Sequence, residues 1–358
     1  MSEFKLTTVE EFEAATARLL ETGAKVGADS WQMRVKNQTP HCKFGEQGVC
    51  CRICSMGPCR ITPKAPRGIC GCDVHGIVGR NFLRFTAGGA ATHSDHGREI
   101  CITLGHAKEG GDYQVKDPEK LIRIAKEWGV ETEGKDIYDL AHEMSDLAQE
   151  EYGKIRGYSR WLKRAPQHTQ DLWHAAGIEP RAIDREVSCA LHMTHMGNTS
   201  KPEALIRQAL RNGLSDGWGG SMCGTEFSDV LFGTPKPIDT EANLGVMNAE
   251  NVNIVVHGHD PSLSEMICEY ADSKEMIDYA KSMGAKGITV SGVCCTSNEV
   301  AMRRGIPMAG NFLQQENVVL TGACEAIVVD VQCIFPALGP LSKCFHTKFI
   351  TTSPICQM

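Results

Sequence analysis

The stretch NIVVHGH occupies residues 253–259. It is a short run dominated by β-branched residues, too brief for a helix, followed at once by two histidines. Similar runs recur downstream: GITV (287–290), VVLTG (318–322), AIVVDV (326–331) and KFITT (348–352). Continuous β-branched runs separated by helical stretches predict a parallel, doubly wound, Rossmann-like sheet over 241–358. In open parallel sheets, ligand sites lie off the carboxyl ends of the strands. His257 and His259 follow the first run, Cys294 and Cys295 the second, and Cys333 the run at 326–331. A lone cysteine is usually a small buried hydrophobe. Three junctions that each offer soft or borderline ligands at one sheet edge point instead to a metal site.

Upstream the rhythm is different. Residues 219–240 are rich in Gly, Pro and Thr and read as a boundary. From about 76 to 215 the pattern is mainly helical. Asp117 and Pro118 form an N-cap and N1 pair, with Gly129 as a stop. Ile137, Leu140, Ala141, Met144 and Ala148 recur at helical spacing. Ser200 is expected to cap a further helix with Leu205 and Leu210 on one side. The Thr8-Val9-Glu10-Glu11 capping box opens a helix to about Thr22. The fold class expected is α plus α/β. Residues 1–75 carry a first helix and a cysteine-rich segment, 76–240 are helical, and 241–358 form the sheet domain.

The cysteine-rich segment holds seven of the 17 cysteines, with the spacing C-x7-C-C-x2-C-x4-C-x10-C from Cys42 to Cys70 and Cys72 just beyond. A 4Fe-4S cubane takes four thiolates, commonly with one C-x2-C loop. Cys51, Cys54, Cys59 and Cys70 supply four. Cys42 and Cys50 remain, and two thiolates close a second cubane only if another copy adds its own pair across a two-fold axis. A structural zinc site is the plainer reading, but there is no second C-x2-C pair and no nearby spaced histidine pair.

Composition bounds the function. With 358 residues, a net charge of −7 and 42% hydrophobic residues, the chain can bury a sizeable core and does not carry the basic surface of a nucleic-acid binder. No stretch approaches the roughly 18 apolar residues of a membrane span. The N-terminus is amphipathic and acidic, unlike a secretory leader, so a reducing cytoplasm is the expected location. Cysteines there serve metal or catalysis more often than disulfides.

GEQGVCCRICSMGPCRI (45–61), RGICG (67–71) and IVGRNFLR (77–84) together resemble the anaerobic nickel–iron carbon monoxide dehydrogenases. The resemblance continues through TAGGAATHSDHGR (86–98), DGWGGSMCGTEFSDVLFGTP (216–235), VHGHDP (256–261), SGVCCTSNEV (291–300) and VVDVQCIFP (328–336). It implies a homodimer in which Cys51, Cys54, Cys59 and Cys70 hold each subunit's own 4Fe-4S cluster, with Cys72 a competitor to Cys70. Cys42 and Cys50 hold half of a cluster shared by the dimer. It implies a nickel–iron–sulfur cluster with His259 and Cys295 on an outlying iron and Cys333 on a cubane iron, His257 and Cys294 being alternatives. His93 is implied as a proton acceptor and His96 as the next histidine of an outward file. Glu99 and Ile102 stand where some members have further histidines. The implied reaction is reversible oxidation of CO with water to CO2, two protons and two electrons, delivered to a ferredoxin-like acceptor. Acetyl-CoA synthase is a possible partner. Members of the family continue beyond the position of Met358, and that part carries further active-site cysteines and a lysine. A missing C-terminal segment or second chain is therefore expected. Two other readings compete: a non-catalytic iron–sulfur electron-transfer or assembly protein, and a hybrid-cluster reductase.

Without that resemblance, His93 and His96 read as two surface histidines three residues apart. Cys189, His192 and His195 drift around a helix and are expected to serve packing and hydrogen bonding. Cys101, Cys223, Cys268, Cys324 and Cys344 match no ligand position and are also expected to pack. Gly219 and Gly220 lack a P-loop lysine and suggest close packing near the cluster.

Overall fold

The computed structural model describes residues 9–196 and 198–358. Thr8 of the N-terminal capping box lies outside the described residues. The first described helix runs over Val9–Lys25. Contacts divide the chain into two compact units, residues 40–234 and residues 1–39 with 235–358. The division at Thr234/Pro235 falls inside the Gly-, Pro- and Thr-rich segment.

In the unit 40–234, a minimal antiparallel pair comes first. β1 (Cys50–Cys51) faces β2 (Cys59–Arg60), with Cys51 opposite Cys59. A 32-residue helix, Val74–Gly105, follows, and Asp73 caps it by accepting the Gly76 N–H at 2.9 Å. Helices Ile137–Gly153, Ile183–Met193, Pro202–Leu214 and Met222–Phe232 pack against it. Ile100, Leu104, Leu121, Met144, Trp161 and Phe227 are fully or almost fully buried in their shared core. The expected helix Pro118–Glu127 is present, with Asp117 accepting the Lys120 N–H and Gly129 at φ +77°. Two local expectations fail. Lys201, not Ser200, precedes helix Pro202–Leu214, and no side chain caps it; Pro202 at the first turn removes one donor that needed capping. Leu205 is fully buried whereas Leu210 is 51% exposed, because five residues at about 100° each put them on different sides.

The second unit holds a five-stranded parallel sheet. Its strands are β3 (Val252–Gly258), β4 (Ile288–Val293), β5 (Met308–Gly310), β6 (Ala326–Val329) and β7 (Lys348–Thr351). The order is β5-β4-β3-β6-β7, all neighbours parallel. β3 is central, and the winding direction reverses between β3 and β6. The expected strand at 318–322 is a helix, Gln315–Leu320. Its three apolar residues are fully buried, and a short all-buried run has no period to separate strand from helix. A capping box at Asn311 starts the preceding turn and commits the segment to helix. β5, three residues long, went unanticipated. The N-terminal segment joins this unit: the buried Glu316 carboxylate takes the Trp31 N–H at 2.6 Å and the Arg34 guanidinium. No described helix is long and apolar enough to cross a membrane.

Candidate metal centres

Cys51, Cys54, Cys59, Cys70 and Cys72 line one small cavity, with Arg80 at its edge. β1 places Cys50 and Cys51 on opposite faces of the strand, since successive strand residues alternate. Cys51 therefore faces the cavity, and the Cys50 backbone carbonyl is held by Asn81 Nδ2 at 2.9 Å. Donors are aimed at sulfur: the Ile69 N–H lies 3.4 Å from Cys59 Sγ, and Arg80 Nη1 lies 3.8 Å from Cys70 Sγ. The Cys72 backbone N–H, followed by Arg80, lowers the Cys70 thiol pKa, whereas burial raises that of Cys72. Cys70 is exposed and Cys72 is buried. Cys42 is exposed, its pKa lowered by the backbone N–H groups of Gly45 and Phe44.

Among the described residues, no three His, Cys, Asp or Glu side chains converge where a single metal ion would sit. Structural zinc needs such convergence, with ligands at about 2.3 Å. Thiols ringing a cavity, with N–H donors toward sulfur, suit the larger body of an iron–sulfur cubane. The residues present fit that group.

His93 and His96 both lie on helix Val74–Gly105. His93 Nδ1 sits 2.5 Å from Asp216 Oδ1, within the π-helix Ser215–Ser221. A carboxylate on Nδ1 fixes the ring's orientation and tautomer. Gly220 permits this approach: a Cβ there would lie 3.0 Å from the His93 Cβ and 2.9 Å from Ile183 Cδ1. Close packing is thus seen at Gly220, whereas a Cβ at Gly219 would make only an ordinary contact, 3.6 Å from Ile183 Cβ. His96 is buried. Glu99 is exposed and Ile102 half-buried on the same helix.

In the sheet unit, the register aligns the strand ends. His257 on β3 pairs with Val293 on β4 and Val329 on β6, and Gly258 bridges Cys294. His259, Cys294, Cys295 and Cys333 therefore follow three adjacent strands at one edge. Cys294 has φ +69°, Gln332 φ +67° and Cys333 φ +58°, the only left-handed non-glycine residues among those described. Such conformations cost on the order of 1–2 kcal/mol each and collect at functional sites. Cys295 and Cys294 sulfurs are 4.0 Å apart; Cys295 and then burial push the Cys294 thiol well up. Cys333 is exposed and Cys295 half-buried. His257 is fully buried, burial lowers its pKa, and its Nε2 lies 3.0 Å from Gln315 Oε1. His259 is half-buried at the strand end, and its backbone N–H donates to Asp330 Oδ1 at 2.5 Å. Burial pushes the Asp330 carboxyl up to about 7. Gly258, at φ +138°, makes room for it: a Cβ would fall 1.9 Å from Asp330 Oδ1. One imidazole and soft thiols at strained strand ends are a donor set that fits a nickel–iron–sulfur group.

The remaining candidates form no single-ion site among the described residues. Cys189 is half-buried, His192 and His195 are exposed, and no single-ion site forms around them among the described residues. Cys101 and Cys223 are fully buried, sulfurs 3.6 Å apart. Burial pushes the Cys268 and Cys324 thiols up to about 12. Cys344 is exposed, so its expected packing role is not seen. Asp216, Asp330 and Gln315 were not singled out from the sequence. Asp216 and Asp330 lie inside two of the diagnostic stretches, at 216–235 and 328–336; Gln315 carries no motif.

Comparison with known proteins identifies the family. Carbon monoxide dehydrogenase 1 of Methanosarcina mazei is 49% identical over 347 residues, covering 96% of this chain and 55% of that protein. Carbon monoxide dehydrogenase 1 of Carboxydothermus hydrogenoformans is 45% identical, covering 95% and 54%. Among solved structures, the Ni-free carbon monoxide dehydrogenase of Thermococcus sp. AM4 matches with TM-score 0.92 and 48% identity, covering 95% of this chain and 55% of that one. An acetyl-CoA synthase/carbon monoxide dehydrogenase, described with NiZn[Fe4S4] and NiNi[Fe4S4] clusters in its alpha subunits, matches with TM-score 0.92 and 39% identity, covering 96% and 52%. The chain spans about half the length of these relatives. Residues 49–358 match the family described as Prismane/CO dehydrogenase, and the chain belongs to that family.

Proposed function

We propose that this chain carries the N-terminal share of an anaerobic carbon monoxide dehydrogenase, a homodimer of the cytoplasm. The reaction is reversible oxidation of CO with water to CO2, two protons and two electrons. The nickel–iron–sulfur cluster supplies CO binding and electron acceptance when bound. The chain's own residues do the rest. His259, Cys295 and Cys333 hold part of that cluster at the strand ends. His93, oriented by Asp216, accepts protons, with His96 next along the helix. Cys51, Cys54, Cys59 and Cys70 hold the subunit's own 4Fe-4S cluster, and Cys42 and Cys50 hold half of the shared one. Electrons leave to a ferredoxin-like acceptor. Acetyl-CoA synthase is a further partner, suggested by the relative that carries both activities in its name. The organisation into a cluster segment (1–75), a helical domain (76–240) and a Rossmann-like domain (241–358) belongs to the same proposal.

The observation that carries this reading is the pair of left-handed cysteines, Cys294 and Cys333, which follow the strands on either side of β3. The test is metal analysis with a CO-dependent viologen assay, on the 358-residue chain alone and with a family C-terminal segment added. The chain alone is expected to hold iron and sulfide, bind little nickel and leave the dye oxidised, because three strand-end ligands leave a nickel site open to water. Dye reduction should appear with the segment. Iron without any CO-dependent turnover in both arms would instead favour the electron-transfer reading. In the completed enzyme, Cys295→Ala should lose the outlying iron. His93→Ala should keep nickel and iron while turnover collapses; loss of nickel from His93→Ala would sink its proton role.

A further inference from the structure

Gln315 is fully buried at the start of helix Gln315–Leu320. Its amide uses every bonding position it has. Oε1 accepts the Phe335 N–H at 2.7 Å and the His257 Nε2–H at 3.0 Å. Nε2 donates to the Phe312 carbonyl and to the Cys333 carbonyl, the latter at 2.9 Å. The Phe335 N–H faces the oxygen and two carbonyls face the nitrogen, so the amide can sit only one way round, which makes His257 Nε2 the donor to Oε1. The chain it grips is the strained one. Gln332 and Cys333 are consecutive left-handed residues, and Gln315 holds the turn by the carbonyl of Cys333 and by the amide two residues later. A turn in that conformation persists only where its surroundings over-determine it. The same amide ties the turn to His257 on β3, two residues before His259.

We propose that Gln315 is a positioning residue that locks the Cys333 turn to β3 and so presets the Cys333 thiol relative to His259. The inference deepens the reading of Cys333 as a cluster ligand and rests on it for its purpose, but not for its test. A thiol fixed before the metal arrives loses less conformational freedom on ligation, and a supporting shell of hydrogen bonds is what sets such geometry.

The test uses the metal-free 358-residue chain, kept reduced, and follows iodoacetamide alkylation of individual cysteines by peptide mass mapping. Gln315→Met keeps the volume and removes all four hydrogen bonds. Gln315→Glu keeps the acceptor for Phe335 and His257 but loses the paired donors to the carbonyls. Cys333 should alkylate about tenfold faster in Gln315→Met, the release expected from losing two hydrogen bonds to its turn. Gln315→Glu should fall between this and the parent chain. Cys42, exposed in the other unit, should keep its parent rate throughout. Equal acceleration of Cys333 and Cys42 would mean general loosening and would overturn the proposal, as would an unchanged Cys333 rate. If Gln315→Met does not fold, Gln315→Glu alone decides by the same two readings. Because no metal is present, the result does not depend on whether the completed protein oxidises CO.

Discussion

The cysteine loop and the strand-end site gather cysteines by opposite means. In the loop, Cys51, Cys54, Cys59 and Cys70 are close in sequence, and the left-handed positions that flank them are glycines: Gly48 has φ +67° and Gly71 φ +87°. At the sheet edge, Cys294 and Cys333 come from distant positions brought together by register, and the cysteines themselves occupy the left-handed positions. The loop places its strain on residues that tolerate it. The sheet edge puts it on cysteines, Cys294 and Cys333, and Gln315 bonds the Cys333 turn. On the proposed function, the loop is expected to rely on its metal for order more than the strand-end residues do.

The largest expected effect follows from that difference. Cys54→Ser should remove the loop's cluster as a unit, lowering iron by about four atoms per chain. It should also open the loop to trypsin at Arg52 and Arg60 while the sheet unit keeps its thermal transition. Cys333→Ser should change neither loop iron nor tryptic sensitivity. Equal iron in Cys54→Ser and the parent chain would break the comparison.

Next in size is Gly258→Val. Its φ of +138° is a glycine conformation, and a Cβ would overlap Asp330 at 1.9 Å. Both causes act in one place, so a loss of about 4 kcal/mol is expected from urea unfolding of the sheet unit. A loss below about 1 kcal/mol would show that the strand end gives way easily and is not preset.

The helical scaffold under the loop offers an intermediate test with a pH sign. Glu186 is fully buried, accepts Arg181 Nε at 2.8 Å and Nη2 at 2.9 Å, and takes Gln208 Nε2 at 2.8 Å. Burial alone would raise its pKa, but Arg181 and Gln208 outweigh it and the folded value is lowered. Its stabilisation is thus present above the unfolded carboxylate value of about 4.3 and is lost as pH falls through the folded value. Glu186→Gln should cost about 3 kcal/mol at pH 7 and progressively less below pH 4. A penalty that does not shrink in acid would assign the loss to packing instead of charge.

What could be read from the sequence follows the same divide. The loop was legible because its ligands and their spacing are contiguous. β3, β4, β6 and β7 were legible because β-branched runs announce buried parallel strands. The run at 318–322 was misassigned because Val318, Val319 and Leu320 are apolar on every side in a short buried helix. The partner of His93 could not be read, since Asp216 lies 123 residues away and only the helix packing unites them. Gln315 was invisible for a related reason: its four partners come from a strand, the Cys333 turn and the 3-10 turn before its own helix, and no spacing rule links them.

The smallest effect gives the sharpest test, because it inverts a familiar order. Cys333 is exposed, so replacing it removes little packing, and Cys333→Ala and Cys333→Gly differ mainly in backbone freedom. At an ordinary position, glycine is the less stable choice, since the unfolded chain gains entropy. At φ +58° the alanine Cβ pays the left-handed penalty, which exceeds that entropy. Cys333→Gly should therefore be more stable than Cys333→Ala by about 1 kcal/mol in the metal-free chain, read from urea midpoints at constant slope. In the loop the sign runs the other way for the parent residue. Gly71 has open space around its missing Cβ, so Gly71→Ala meets only the conformational penalty and should lose about 1 kcal/mol. If glycine and alanine are equal at 333, the turn relaxes out of the left-handed region once the thiol is gone. The strain would then belong to the cysteine side chain, and the sheet edge would be no more preset than the loop.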